Sequence, residues 1–137
     1  MTTEDDIRHI LQTTRTVAVV GLSPKPHRDS YIVARVLQAH GWRVVPVNPA
    51  AQVTEILGEK VYSTLSEAAQ DHAIDLVDVF RNSEEAATAV DEAMAIGAPA
   101  VWLQLGVVND DACAKARAAG LRAVQNRCTK IEIARRS

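Results

Sequence analysis

Five short apolar runs limit what this chain can fold into. They are "TVAVVG" (Thr16–Gly21), "WRVVPVNP" (Trp42–Pro49), "IDLVDVF" (Ile74–Phe80), "PAVWLQLG" (Pro99–Gly106) and "LRAVQN" (Leu121–Asn126). The first is continuously apolar and β-branched, without the in-out alternation of a strand that has one wet face. Such a run suits a central parallel strand covered on both sides. Pro46 inside the second run marks an edge strand or a bulge. Helical patterns fill the gaps. "TTEDDIRHILQT" opens with Thr2 or Thr3 as cap and an acidic first turn, and places Ile7, Ile10 and Leu11 on one face. "SYIVARVLQAHG" carries Ile32, Val33, Val36 and Leu37 at helical spacing, with Ser30 as cap and Gly41 as stop. A short extended piece around Lys60–Tyr62 leads to a helix capped by Ser66. Asn82 or Ser83 starts the next helix, which Gly97 ends. "NDDACAKARAAG" runs from Asn109 to Gly120, and "CTKIEIARR" is the closing helix.

Strands alternate with helices throughout. The pattern predicts an α/β fold with a doubly wound, mainly parallel sheet and helices on both faces. The 137 residues suit one domain, residues 1–137, large enough to bury a core without staples.

In such sheets ligands bind beyond the carboxyl ends of the strands. Five segments should therefore meet on one rim: Gly21–Ser23, Asn48–Pro49, Phe80–Asn82, Gln104–Val108 and Gln125–Cys128. They are rich in hydrogen-bonding groups, whereas the strands feeding them are almost entirely apolar. The loop "GLSPKPHRDSY" stands where a nucleotide-binding protein places phosphates, without the usual glycine fingerprint. Gly21 remains, Ser23 and Ser30 offer hydroxyls, and Lys25 and Arg28 add charge beside a helix start, which itself attracts anions. At the end of the second strand an NAD site wants a carboxylate for the ribose, and an NADP site an arginine just after it. "VNPAAQ" has neither. Asn48 would meet a ribose or adenine polar atom and Pro49 an adenine face. Phe80 and Arg81 follow the third run, with Arg81 as a second cation. Gln104 and Gly106 follow the fourth, where a glycine lets the protein backbone come close to a ligand.

Catalytic constellations are missing: no Ser–His–Asp order, HExxH or Walker lysine appears. Asp75 and Asp78 are expected on one face of their strand, with Asp78 a hydrogen-bonded structural aspartate. Cys128, at a helix start, is a candidate nucleophile. Cys113 and Cys128 show no metal-ligand spacing, and His9, His27, His40 and His72 are scattered, so no zinc site is expected. The formal net charge of −2 gives no reason to expect nucleic acid or an anionic membrane as partner. The acidic start lacks a signal peptide's pattern and no apolar run reaches the length of a membrane span, so the expected location is cytoplasmic. A protein partner or homo-oligomer stays open, and an exposed Trp42 or Trp102 would mark such an interface.

The ordered motifs "VAVVGLSPKPHRDSY", "VVPVNP", "LVDVFR", "VWLQLGV" and "NRC" resemble the small stand-alone CoA-binding proteins of bacteria, the YccU-like CoA-binding domain family. The resemblance runs from about Thr16 to Glu132. That family is similar to the CoA-binding domain of the succinyl-CoA synthetase alpha subunit, and its fold is Rossmann-like. The resemblance implies coenzyme A or an acyl-CoA as ligand, with Ser23, Lys25, Arg28 and Ser30 at a phosphate. It puts Asn48 and Pro49 at the adenosine end, and Phe80, Arg81, Gln104 and Gly106 along the rest of the cleft. Family members carry "DRC" where this chain has "NRC", so Asn126 brings no carboxylate there. The larger synthetases add a phosphohistidine domain, for which 137 residues leave no room. Binding without chemistry is therefore the expected function. The alternatives are an NAD(H)- or nucleotide-binding redox sensor, and a thioester enzyme using Cys128. A cysteine at that rim would also meet the thiol of CoA and form a mixed disulfide under oxidation.

Overall fold

The computed structural model describes residues 2–136. The elements alternate as the sequence predicts: α1 (Thr3–Thr13), β1 (Thr16–Val20), α2 (Asp29–Ala39) and β2 (Arg43–Val47) come first. A small hairpin of β3 (Glu55–Ile56) and β4 (Glu59–Lys60) leads to α3 (Leu65–Asp71). Then come β5 (Leu76–Val79), α4 (Ser83–Ala95), β6 (Ala100–Leu103), α5 (Asp110–Ala118), β7 (Arg122–Val124) and α6 (Thr129–Arg135). The main sheet has the order β2-β1-β5-β6-β7, parallel at every pairing.

Both faces of this sheet are covered, which is why its strands read as almost entirely apolar runs. Val77 and Val79 of β5 face the layer built by α3, α4 and α5, with Leu65, Val90 and Ala116 in its core. Leu76 faces the layer of α1, α2 and α6, where Ile7, Ile10, Leu37 and Trp102 pack. The Trp102 indole donates to the Arg127 carbonyl at 2.8 Å, which ties β6 to the approach of α6. Trp42 and Trp102 are both buried, so neither marks an interface; each fills the core between helix and sheet.

Pro46 does sit on an edge strand, β2. Its carbonyl points outward and accepts from the Tyr62 amide at 3.0 Å, so the missing proline N–H faces the same side and leaves the β1 ladder intact.

The helix caps differ from expectation at two places. Thr64, not Ser66, caps α3 by accepting from the Glu67 amide, because the helix begins two residues earlier. Ser30 does not cap α2: the helix begins at Asp29, and Ser30 lies inside the first turn with its hydroxyl turned back to the Ser23 amide at 3.0 Å.

Asp75 and Asp78 do not share a face, because residues three apart in a strand point to opposite sides. Asp75 accepts from the Arg15 and Thr16 amides, both at 3.0 Å, and so anchors the start of β1. Asp78 lies in the sheet interior between Val19 and Trp102.

Candidate functional site

The chain runs from β1 outward to β2, then crosses to β5 on the other side of β1 and continues outward to β7. The strand order therefore reverses between β1 and β5, and neighbouring connections leave the sheet in opposite directions there. That divergence opens a crevice at the carboxyl ends of β1 and β5. A cleft of about 680 Å³ occupies this place. Its lining includes Gly21, Ser23, Arg28, Ser30, Phe80, Arg81 and Gln104, all read from the sequence as candidates.

Gly21 is needed for two reasons. Its φ is +87°, and a Cβ there would lie 2.3 Å from the Phe80 carbonyl oxygen. Side-chain bulk is excluded where β1 and β5 end together. Ser23 holds the loop: its amide donates to Ser30 and its hydroxyl accepts from the Lys25 amide at 3.1 Å.

Lys25, Asn48, Pro49 and Gly106 are not on the lining. Lys25 is exposed on the outer side of the loop. Asn48 is occupied by the fold, since its Nδ2 donates to the Leu22 carbonyl at 3.0 Å and its Oδ1 accepts from the Ala50 amide at 2.9 Å. Pro49 lines an adjoining hollow of about 410 Å³ with Val47, Thr64 and Glu85, and Arg81 lines both spaces. Gly106 has φ +87° and open space around it, so its backbone conformation, not a close approach, requires glycine. Its amide donates to Asn126 Oδ1 at 2.8 Å. Asn126 itself sits at φ +57°, a conformation asparagine tolerates, and its neutral amide oxygen accepts this bond as a carboxylate would.

Several lining residues were not singled out as binding candidates. Asp29, Asn82, Leu105, Lys130 and Ile131 face the cleft, and so does Cys128. Lys130 left a signal. A cation in the first turn of a helix opposes the dipole and calls for an anion nearby. The apolar Leu105 and Ile131 left none, because exposed aliphatics are common.

The electrostatics are one-sided. Arg28, Arg81 and Lys130 line the cleft against a single carboxylate, Asp29. Arg81 leans toward Glu85 at 3.8 Å, while Arg28 and Lys130 have no ion-pair partner among the described residues. Side chains cap α1, α3, α4 and α5, through Thr2, Thr64, Asn82 and Asn109. The two helices without a side-chain cap are α2 and α6, whose N-cap positions, Arg28 and Cys128, both line the cleft. The first-turn N–H groups of α2 are thus left for an outside acceptor.

Beneath the cleft lies a buried polar cluster. Gln104 Nε2 donates to Asp78 Oδ1 at 2.6 Å and to Thr129 Oγ1 at 2.9 Å, and Thr129 Oγ1 donates to Asp78 Oδ2 at 3.2 Å. Burial pushes the Asp78 carboxyl up to about 7, against the two hydrogen bonds that favour its charge. Farther along α6, buried Glu132 is clamped by Arg127, Arg135 and Arg136, and Arg136 also pairs with Glu4 of α1. Burial works to raise the Glu132 pKa, but the Arg136 hydrogen bond and the surrounding arginines hold it below the usual range. Cys113 is buried and does not line the cleft, and burial pushes its thiol up. No group of three or more metal-type side chains gathers among the described residues. No helix among them is long and apolar enough to cross a membrane.

The CoA binding domain family matches residues 15–134. The uncharacterized protein YneT of Bacillus subtilis (strain 168) is 38% identical over 126 residues, covering 92% of this chain and 90% of that protein. A hypothetical protein from Pyrococcus horikoshii OT3 superposes with TM-score 0.89 at 41% identity, covering 98% of this chain and 92% of that one. The structure of cell-free ID.343 from Thermus thermophilus gives TM-score 0.85 at 31% identity, covering 98% of both chains.

Proposed function

The chain belongs to the CoA binding domain family, and on that premise we propose that the carboxyl-edge cleft binds coenzyme A or an acyl-CoA without catalysing a reaction. The observation that carries the reading is the pairing of an α2 terminus without a side-chain cap with two cations, Arg28 and Lys130, that have no ion-pair partner among the described residues, in one cleft. Free N–H groups and cations are what a pyrophosphate or a 3′-phosphate needs. Arg81 stands between the cleft and the hollow that holds Pro49, so a ligand long enough to use both would pass across it. The adenosine end then lies on the Pro49 side, and the arm lies over Gln104. Gly21, Ser23, Ser30 and Phe80 shape the loop and wall. Lys25 and Gly106 take no part beyond the loops they belong to, and Asn48 contributes through the fold.

The absence of a carboxylate after β2 supports CoA over NAD, since a CoA ribose carries a phosphate where NAD offers a free diol. Cys128 has no base hydrogen-bonded to it among the described residues, which favours binding over thioester chemistry. Thermal denaturation with CoA, 3′-dephospho-CoA, NAD and ATP tests the reading. CoA should raise the melting temperature most, and dephospho-CoA less. A shift with NAD or ATP alone would overturn it.

A further inference from the structure

Gln104 is only 3% exposed, yet it lines the cleft. Its Nε2 is committed to Asp78 and Thr129. Its Oε1 has no protein partner, while no fully buried side-chain oxygen among the described residues lacks one, so this oxygen is open to the cleft. With Asp78 ionised the arrangement has one consistent proton count. An ionised Asp78 only accepts, so the Gln104 amide must turn its nitrogen inward, and the Thr129 hydroxyl completes the ring by accepting once and donating once.

We propose that the Asp78–Gln104–Thr129 ring fixes the hydrogen-bond polarity of the cleft floor, so that Gln104 selects a ligand segment carrying an N–H or O–H donor and rejects an anionic oxygen. The inference rests on the proposed CoA reading and divides the ligand. Phosphates stay at the cationic rim of Arg28, Arg81 and Lys130. The uncharged arm, whose amides and hydroxyl donate, crosses the floor. Gln104 acts on the ligand directly, and Asp78 is a positioning residue that acts through it.

Protonating Asp78 leaves the polarity of the floor in place. The carboxyl then donates to the Thr129 hydroxyl through Oδ2 and still accepts from Gln104 Nε2 through Oδ1, so Gln104 Oε1 keeps facing the cleft. Strands β1 and β6, which flank Asp78, carry no titratable group. The charged or titratable residues of the helices in that layer are Glu4, Asp5, Asp6, Arg8 and His9 on α1, and Asp29, Tyr31 and Arg35 on α2 after Arg28. On α6 they are Lys130, Glu132 and Arg135, with Cys128 and Arg136 at its ends. Arg81 follows β5. None of these hydrogen-bonds to Asp78. Its titration is governed by its burial and by Gln104 and Thr129.

The test uses the whole chain and two readouts. In the ligand-free protein, the side-chain amide NMR signal of Gln104 should move in one step as pH falls through about 7, and Asp78→Asn should abolish the step. In calorimetry at pH 8, Gln104→Leu should bind CoA about tenfold more weakly, because the cleft floor loses its acceptor. Asp78→Asn, whose amide oxygen still accepts from Gln104 Nε2, should bind CoA as the wild type does, which separates loss of the acceptor from loss of the buried charge. The titration of CoA's own phosphates is common to all three proteins. An unmoving Gln104 signal overturns the polarity ring whatever the ligand. Equal CoA affinity of the wild type and Gln104→Leu at pH 8 overturns the selection. Failure of the wild type to bind CoA, with the NMR step present, overturns the ligand reading and leaves the ring standing.

Discussion

Gly21 and Phe80 meet at the reversal of strand order so closely that a methyl group on the glycine would lie 2.3 Å from the phenylalanine carbonyl oxygen. Gly21→Ala adds this clash to an unfavourable positive φ. It should destabilise the protein by roughly 2–4 kcal/mol. Urea denaturation checks the value. A cost under about 0.5 kcal/mol would mean that β1 and β5 part without resistance.

The cations of the cleft should separate from the cation outside it. Arg28→Ala, Arg81→Ala and Lys130→Ala should each weaken CoA binding about 10–100-fold, the range of a charge-assisted hydrogen bond. Lys25→Ala should change it less than about twofold, since Lys25 lies off the lining. Calorimetry at two salt concentrations reads both, and the difference between the groups should shrink as salt rises.

Asn48 ties the loop after β1 to the end of β2. Asn48→Ala should cost about 1–2 kcal/mol for the lost bonds. Asn48→Asp sets a carboxylate against the Leu22 carbonyl, so it should lower stability without conferring NAD binding. A melting-temperature rise with NAD in that variant would reverse this assignment.

Asp78 has its folded pKa raised to about 7, so the folded state binds a proton that the unfolded state releases near pH 4. Stability should therefore fall as pH rises from about 4 to 7 through this group, and be unaffected by it below both values. Asp78→Asn should remove that slope and stabilise the ligand-free protein at pH 8 by roughly 2–4 kcal/mol. Denaturation of both proteins at pH 5 and pH 8 measures it. A variant less stable at pH 8 would show that the carboxylate supports the fold.

Cys128 lines the cleft and Cys113 is buried. Iodoacetamide should modify Cys128 first, and CoA should slow that reaction. With CoA disulfide, intact mass should show one mixed-disulfide adduct that Cys128→Ser lacks. The same adduct on the variant would place the chemistry elsewhere.

The architecture was legible because burial on both faces leaves a plain signature, the mostly apolar runs of β1, β5 and β6, interrupted only by Thr16 and Asp78. The cleft was legible in outline because topology alone says where strand ends converge. Its finer assignments were harder. Asn48 read as a ligand contact, but its two bonds run within the chain to Leu22 and Ala50, a closure that spacing does not reveal. Gln104 was found as a cleft residue, whereas the part of Thr129 depends on where α6 docks, which no local pattern encodes.

The two long walls of the cleft come from distant stretches of chain, the loop and first turn of α2 on one side and the start of α6 on the other. Contacts between such segments close large loops, at an entropic cost that grows only slowly with loop length. The seven-residue α6 is held in place by Thr129 in the Asp78 cluster and by the arginine clamp around Glu132. A bound ligand bridging both walls would act as a staple across this seam. Amide hydrogen exchange in α6 should slow on ligation far more than in β1 or β5, and occupancy of the cleft would then set how long the end of the chain stays folded.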